Sequence, residues 1–378
     1  MRLGHLTTLL LVTGFASIAV QAQVLPEERA DILYHSYDGG GVKITGPSFL
    51  ARSNVGDKVS LSANYYVDSI SSASIDVLSY ASPYEEERNE LSLGADFIVG
   101  EALVSAGYTN SDENDFDART AYLGISQEIF GGLTTVKLGF AKGKDKVGQV
   151  TDPMFSEDAD RRIYRLGVSQ VMTKNLVMNF DFEGISDEGY LNNPYRQVRF
   201  LDPMDARGYR FQQEVYPRTR SSSAFAVNGR YFIDVNSAIY GGARVYDDTW
   251  GISAWNAQAG YTYRWRDRWL FDLSFRLYDQ SAADFFSDLF PFQDAQNFLG
   301  RDKEISTYTT QTVKLDVSYE ILPNGWGITE RGTVNLSLAR IMFDYDDFRD
   351  ILAGGSVGDE PFYNFDADVL QFYLSFWF

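Results

Sequence analysis

The 378-residue chain contains no cysteine, which excludes disulfides, thiolate nucleophiles and thiolate metal ligands. It has two histidines. His5 lies in the leader described below, leaving His35 alone for acid–base work. No nucleophile pairs with His35 by spacing, so the sequence names no catalytic residue and implies no cofactor; His35 reads as a packing or hydrogen-bonding group at the rim of its sheet. Basic residues are scarce: 33 Lys and Arg against 52 Asp and Glu give a net charge of −19, which argues against nucleic acid. Past the N-terminal region, no apolar run approaches the roughly 18 residues of a transmembrane helix.

The first residues resemble an export signal: Arg2, then the apolar stretch Leu6–Val20 with Leu9-Leu10-Leu11-Val12. Small residues at Val20 and Ala22 sit at the −3 and −1 positions of a cleavage site. Pro26 and polar residues follow at once, which disfavours a buried helix. The expected division is a signal peptide over 1–22 and one domain over 23–378.

Strict alternation fills that domain. In Trp269–Leu277 the odd positions are all large and apolar, while Asp272, Ser274 and Arg276 stand between them. Val313–Ile321 repeats the pattern, as do the stretches around Leu61, Leu93, Leu138, Leu166 and Phe180. Period two means strands with one apolar and one polar face. A soluble sandwich alternates too, but here short turns (Gly56, Gly100, Gly131-Gly132, Lys174-Asn175, Asp234, Asp267, Asn324-Gly325) alternate with longer polar connections near 70–84, 111–116, 143–160, 186–217, 280–305 and 344–364. That rhythm predicts an all-β transmembrane antiparallel barrel of about 16 strands, with short periplasmic turns and long outer loops. The two N-terminal stretches alternate least cleanly; without them the count is fourteen.

The chain stops on an aromatic strand in which Leu370, Phe372, Leu374, Phe376 and Phe378 share one face. A soluble edge of this kind would aggregate, whereas outer-membrane barrels present such a terminus to their insertion machinery. Deleting Phe378, or replacing Phe376 and Phe378 with Ser, is expected to lower insertion. Heat-modifiable barrel in the membrane fraction measures it, and normal levels in both variants would contradict the signal.

Alternation assigns Asp68, Asp96, Asp181, Glu183, Asp272, Asp316 and Glu320 to the lumen, with Lys137, Arg165, Arg230, Arg244, Arg276 and Lys314. The lipid face would penalise each such charge. The remaining acidity belongs to loops, densest at Asp112–Asp117 and Asp344–Asp350. Carboxylates there could hold a hard cation, but neither run has the glycine and distal glutamate spacing of a calcium loop, and solvation is the simpler account. The 186–220 connection instead interleaves arginine with aromatics, at Arg196, Arg199, Arg207, Arg210, Arg218 and Arg220. Folded inward, it would make a positive constriction; left outside, its arginines would pair with acidic loops.

Asp68–Ser74, Ser105–Tyr108 with the Ser111–Asp117 run, Gly189–Phe200 and Tyr216–Arg220 together resemble an uncharacterised proteobacterial family of outer-membrane barrels, defined by a domain of unknown function. The family's first block usually has Gly where Ser72 stands, which puts a tight turn there in doubt. The resemblance implies a gene neighbourhood with a flavin-transferring enzyme and a small lipoprotein, hence a role beside an envelope redox system. No residue here shows flavin or haem binding, and the family supplies no catalytic residues. The expected function is passage of small hydrophilic solutes, with Arg196, Arg199, Arg218, Arg220, Arg230, Arg244, Arg276, Asp272 and Asp316 along the path. The alternative is a plugged or scaffold barrel serving an envelope partner.

Overall fold

A computed structural model describes residues 24–72 and 84–378; the leader and the Ala73-Ser74 end of the first family block lie outside the described residues. The strands are β1 (Arg29–Gly39), β2 (Val42–Val55), β3 (Val59–Ser72), β4 (Tyr84–Val99), β5 (Ala102–Asp112), β6 (Phe116–Ile129), β7 (Thr134–Gly148), β8 (Ser156–Thr173) and β9 (Leu176–Gly189). After a short hairpin of β10 (Gln197–Leu201) and β11 (Tyr209–Gln213) come β12 (Thr219–Phe232), β13 (Ser237–Asp248), β14 (Ser253–Trp265), β15 (Trp269–Gln280), β16 (Tyr308–Glu320), β17 (Arg331–Arg349) and β18 (Phe362–Trp377). Sixteen strands close an antiparallel barrel in which β1 pairs with β18, while β10 and β11 pair only with each other. Closure leaves no unpaired edge, as a lipid environment requires. No described helix is long and apolar enough to cross a membrane.

Cross-strand register fixes the two faces. On β15 and β16, Leu273 faces Leu315 and Asp272 faces Asp316. Leu273, at 54% exposure, and Leu315, at 39%, are bare on the outside, as lipid-facing residues must be. Outward aromatics form two bands, Tyr263, Trp265, Trp269 and Tyr319 beside the short turns and Tyr34, Tyr65, Phe140 and Tyr164 farther up, at mid-strand, below the wet outer ends. This is the interfacial belt of a membrane barrel. The outward row Leu370, Phe372, Leu374 and Phe376 belongs to the closing strand β18, where Phe376 faces Ala30 of β1.

The connections expected to be long near 186–217 and 280–305 are so, at 190–218 and 281–307, but that near 111–116 is a tight 113–115 and that near 143–160 shortens to 149–155; the last runs 350–361. Two segments expected as loop are strand: β7 runs to Gly148 and β17 to Arg349. The physical reason is that these ends project beyond the lipid, where both faces are wet and alternation no longer marks a strand. The acidic run Asp344–Arg349 thus extends β17 rather than forming a loop.

Candidate functional site

The lumen wall is polar and charged. Glu183 of β9 accepts from Arg165 of β8 at 2.8 Å and from Arg244 of β13 at 2.9 Å. Arg276 rests over the Tyr278 ring, 5.8 Å from its centroid, and has no carboxylate partner among the described residues. Arg230 lies 4.8 Å from the Tyr240 ring centroid. Asp272 and Asp316 stand directly opposite each other, an arrangement that costs energy unless each finds a partner. Asp272 accepts from the Tyr240 hydroxyl at 2.6 Å and from Thr262, while Asp316 meets Lys314 at 2.9 Å. Mid-lumen, an open cavity of about 610 Å³ is lined by Lys137, Arg165, Asp181, Glu183, Arg244 and Arg276, among others. A second, of about 300 Å³ and nearer the outer end, adds Arg220, Tyr246, Tyr278 and Glu304.

Above it the three long loops join into a cap. Backbone bonds link the 190–218 and 281–307 loops: Leu201 N–H to Phe290 O at 2.9 Å, Phe290 N–H to Arg199 O at 2.9 Å, and reciprocal bonds between Val215 and Leu299; Glu360 ties in the third. Val198, Phe200, Phe290 and Leu299 make one apolar cluster. In a second, Tyr216 packs on Trp250, Phe285 and Ile305, with the inward-facing Tyr246 against it. A third joins loop-proximal Phe348 to Tyr345 and Tyr363, packed on Tyr308 and Phe365 of the inner wall. Loops resting on inward wall residues are what hold the cap across this side of the mouth.

At its centre Arg199 is fully buried. Its guanidinium donates to both Glu360 oxygens, at 2.6 and 3.0 Å, to the Asp288 carbonyl at 2.9 Å and to the Asp288 carboxylate. Arg301, also buried, meets the same carboxylate at 2.8 Å and donates to the Arg349 carbonyl at 3.1 Å. Two cations thus meet two anions, with each guanidinium nitrogen of Arg199 bonded, which is the arrangement a buried charge requires. Burial works to raise the Glu360 carboxyl, but the Arg199 hydrogen bonds and charge, together with backbone N–H donors, outweigh it and hold it below its ordinary value of 4.5. A lowered folded pKa gives stability that is present above 4.5 and lost as pH falls through the folded value. Acidification through and below this window is therefore expected to loosen the cap while the barrel persists; limited proteolysis of the β10–β11 hairpin reads it, and acid-independent protection would contradict it.

The loop arginines go to separate places. Arg196 pairs with Asp302, while Arg218, largely exposed, meets Glu157 at 3.0 Å. Arg220 points into the lumen, bonded to Asp248 at 2.5 Å and lying 4.4 Å from the Trp250 ring centroid. Of the arginines predicted along the path, Arg220, Arg230, Arg244 and Arg276 line the wall, whereas Arg196, Arg199 and Arg218 do not. Arg301, Asp288 and Glu360 carry the cap, with Glu214 accepting from the Arg301 backbone N–H at 2.8 Å, and sequence reasoning missed them, because Glu360 stands 161 positions from Arg199.

His35 is buried in the wall rather than packed at a rim. Its Nε2 lies 2.7 Å from Asp68 and 3.1 Å from the Tyr66 hydroxyl, and Arg88 meets the other Asp68 oxygen at 2.5 Å. Gly46 makes the space: a side chain there would meet the Val67 carbonyl at 1.8 Å and the imidazole at 3.3 Å. The group ties β1, β3 and β4 together.

A closed sixteen-strand barrel with a charged lumen and an apolar outer face defines a bacterial outer-membrane β-barrel. A family model described as "Protein of unknown function (DUF3570)" matches residues 151–332, and the resemblance carried by Gly189–Phe200 and Tyr216–Arg220 is met there; the blocks near Asp68 and Ser105 lie outside that stretch. No curated protein matches the sequence. Among solved structures, a bacterial polysaccharide outer membrane secretin is similar at 8% identity and a TM-score of 0.50, over 92% of this chain and 98% of that one. Pseudomonas aeruginosa OccK2 (OpdF), in complex with glucuronate, is similar at 10% identity and a TM-score of 0.44, over 94% and 100%. A Pseudomonas aeruginosa FadL homologue is similar at 10% identity and a TM-score of 0.41, over 92% and 89%.

Proposed function

We propose that the protein is a porin-like channel for small hydrophilic solutes, narrowed at its outer mouth by the three-loop cap. The observation that carries this reading is the wall itself: inward arginines, carboxylates and amides around an open cavity of about 610 Å³ suit water and polar solutes, not an apolar ligand. Arg220, Arg244 and Arg276 converge beneath the cap and favour anions there.

Reversal potentials under a salt gradient test this. Arg244→Ser combined with Arg276→Ser is expected to move selectivity toward cations. The shift should shrink as salt rises, because the Debye length falls from about 10 Å at 0.1 M to about 3 Å at 1 M. Unchanged selectivity at low salt would remove these arginines from the path.

A second reading rests on the buried Arg199–Asp288–Glu360–Arg301 cluster. So firm a cap suits a plugged barrel that serves an envelope partner, including the redox system the family resemblance implies.

A further inference from the structure

Five cations share the outward face of β6, β7 and β8. Lys137 and Arg165 line the lumen, so the alternate positions face out: Leu138 and Phe140 on β7, Leu166 and Tyr164 on β8, Leu123 on β6. Continuing the alternation toward the outer end places Lys142, Lys144 and Lys146, Arg162, and Arg119 on that same side. All five are exposed. Lys142 and Arg162 come one outward position beyond the aromatic pair Phe140 and Tyr164, which is about 6–7 Å of strand. They therefore stand at the level where hydrocarbon gives way to headgroups.

Their pairing is unusual. Lys142 faces Arg162 directly across β7 and β8, and Lys144 faces Arg119 across β6 and β7. Like charges directly opposite each other are destabilising. Asp160 faces Lys144, and Asp117 and Asp158 flank Lys146 nearer the loops, yet none of the five cations makes an ion pair among the described residues. Elsewhere on the outward side cations are matched: Lys43 meets Asp38 at 4.0 Å, and Arg340 meets Asp366 and Asp368 at 2.6 Å each. Five cations thus outnumber three carboxylates on this face, and Lys142 and Arg162 have no acidic residue opposite them; in a chain of net charge −19, this cationic excess at one interface calls for an external anion. At the outer leaflet that anion is the phosphate of the membrane's own glycolipid.

We propose that this face binds the phosphate groups of lipopolysaccharide, with Lys142, Arg162, Lys144 and Arg119 as the phosphate ligands and Phe140 and Tyr164 against the acyl chains. The lipid phosphates relieve the two like-charge pairs and fix the orientation of this side of the barrel.

The test uses the full protein in detergent, with bisphosphorylated lipid A, dephosphorylated lipid A and inorganic phosphate as probes, binding being read by native mass spectrometry and by melting temperature. Wild-type protein is expected to bind and be stabilised by the bisphosphorylated lipid alone. Lys142→Gln, Lys144→Gln and Arg162→Gln combined should weaken binding on the order of 100-fold at low salt, while the matching Lys→Arg variant keeps it. Equal binding by the Gln variant, equal binding of dephosphorylated lipid A, or full stabilisation by inorganic phosphate would each overturn the proposal. Should the Gln variant fail to form a heat-modifiable barrel, the wild-type comparison of the two lipid A forms decides alone.

Discussion

Replacing Arg199 with alanine is expected to destabilise the cap by about 3 kcal/mol, the lower end of what breaking a buried ion pair from one side costs. The change strands two carboxylates. Glu360 loses both of its guanidinium contacts, and Asp288 keeps only Arg301. Hydrogen exchange localises the effect, because the Leu201, Val215, Phe290 and Leu299 amides bond from loop to loop. Those four should exchange roughly 100-fold faster, given about 1.4 kcal/mol per factor of ten, with barrel amides unaffected. Arg218→Ala is the matched control: an exposed pair with Glu157 is worth at most about 1 kcal/mol. Similar exchange in the two variants would show that the buried cluster does not hold the loops.

Arginine at Leu273 or Leu315 is expected to cost about 2–4 kcal/mol where the position lies near the bilayer midplane. At Ser274 or Ser318 the same change should be far milder, because those side chains enter the wet lumen. Neighbouring residues of one strand are compared, so the contrast isolates facing from strand propensity. Unfolding in lipid vesicles by denaturant measures it. Equal penalties on the two faces would mean a register displaced by one residue, since a single slip exchanges lumen for lipid along the whole strand.

The strands were legible in the sequence wherever lipid enforces one apolar face, as in Trp269–Leu277 and Val313–Ile321. Turns were legible through local conformation: Phe130, Gly131 and Gly132 all take positive φ, at the place the glycine pair marked. Legibility ended at the membrane surface. Lys142–Gly148 and Asp344–Arg349 are strand, but water on both faces erases the period that would announce them. The cap was hidden for another reason. Arg199 sits between Val198 and Phe200 and is as buried as they are, because carboxylates 89 and 161 positions away enclose it. Arginine interleaved with aromatics marked the right segment without its partners, and so could not separate a pore-lining arginine from one that clamps loops.

Single-channel recording on purified protein in planar bilayers tests the central claim most directly, comparing wild type with a variant whose 197–213 hairpin is replaced by a short Gly-Ser linker. A capped channel predicts discrete steps in the wild type and larger steps once the hairpin is gone. Correctly folded barrels that conduct in neither form would contradict it and leave a plugged scaffold.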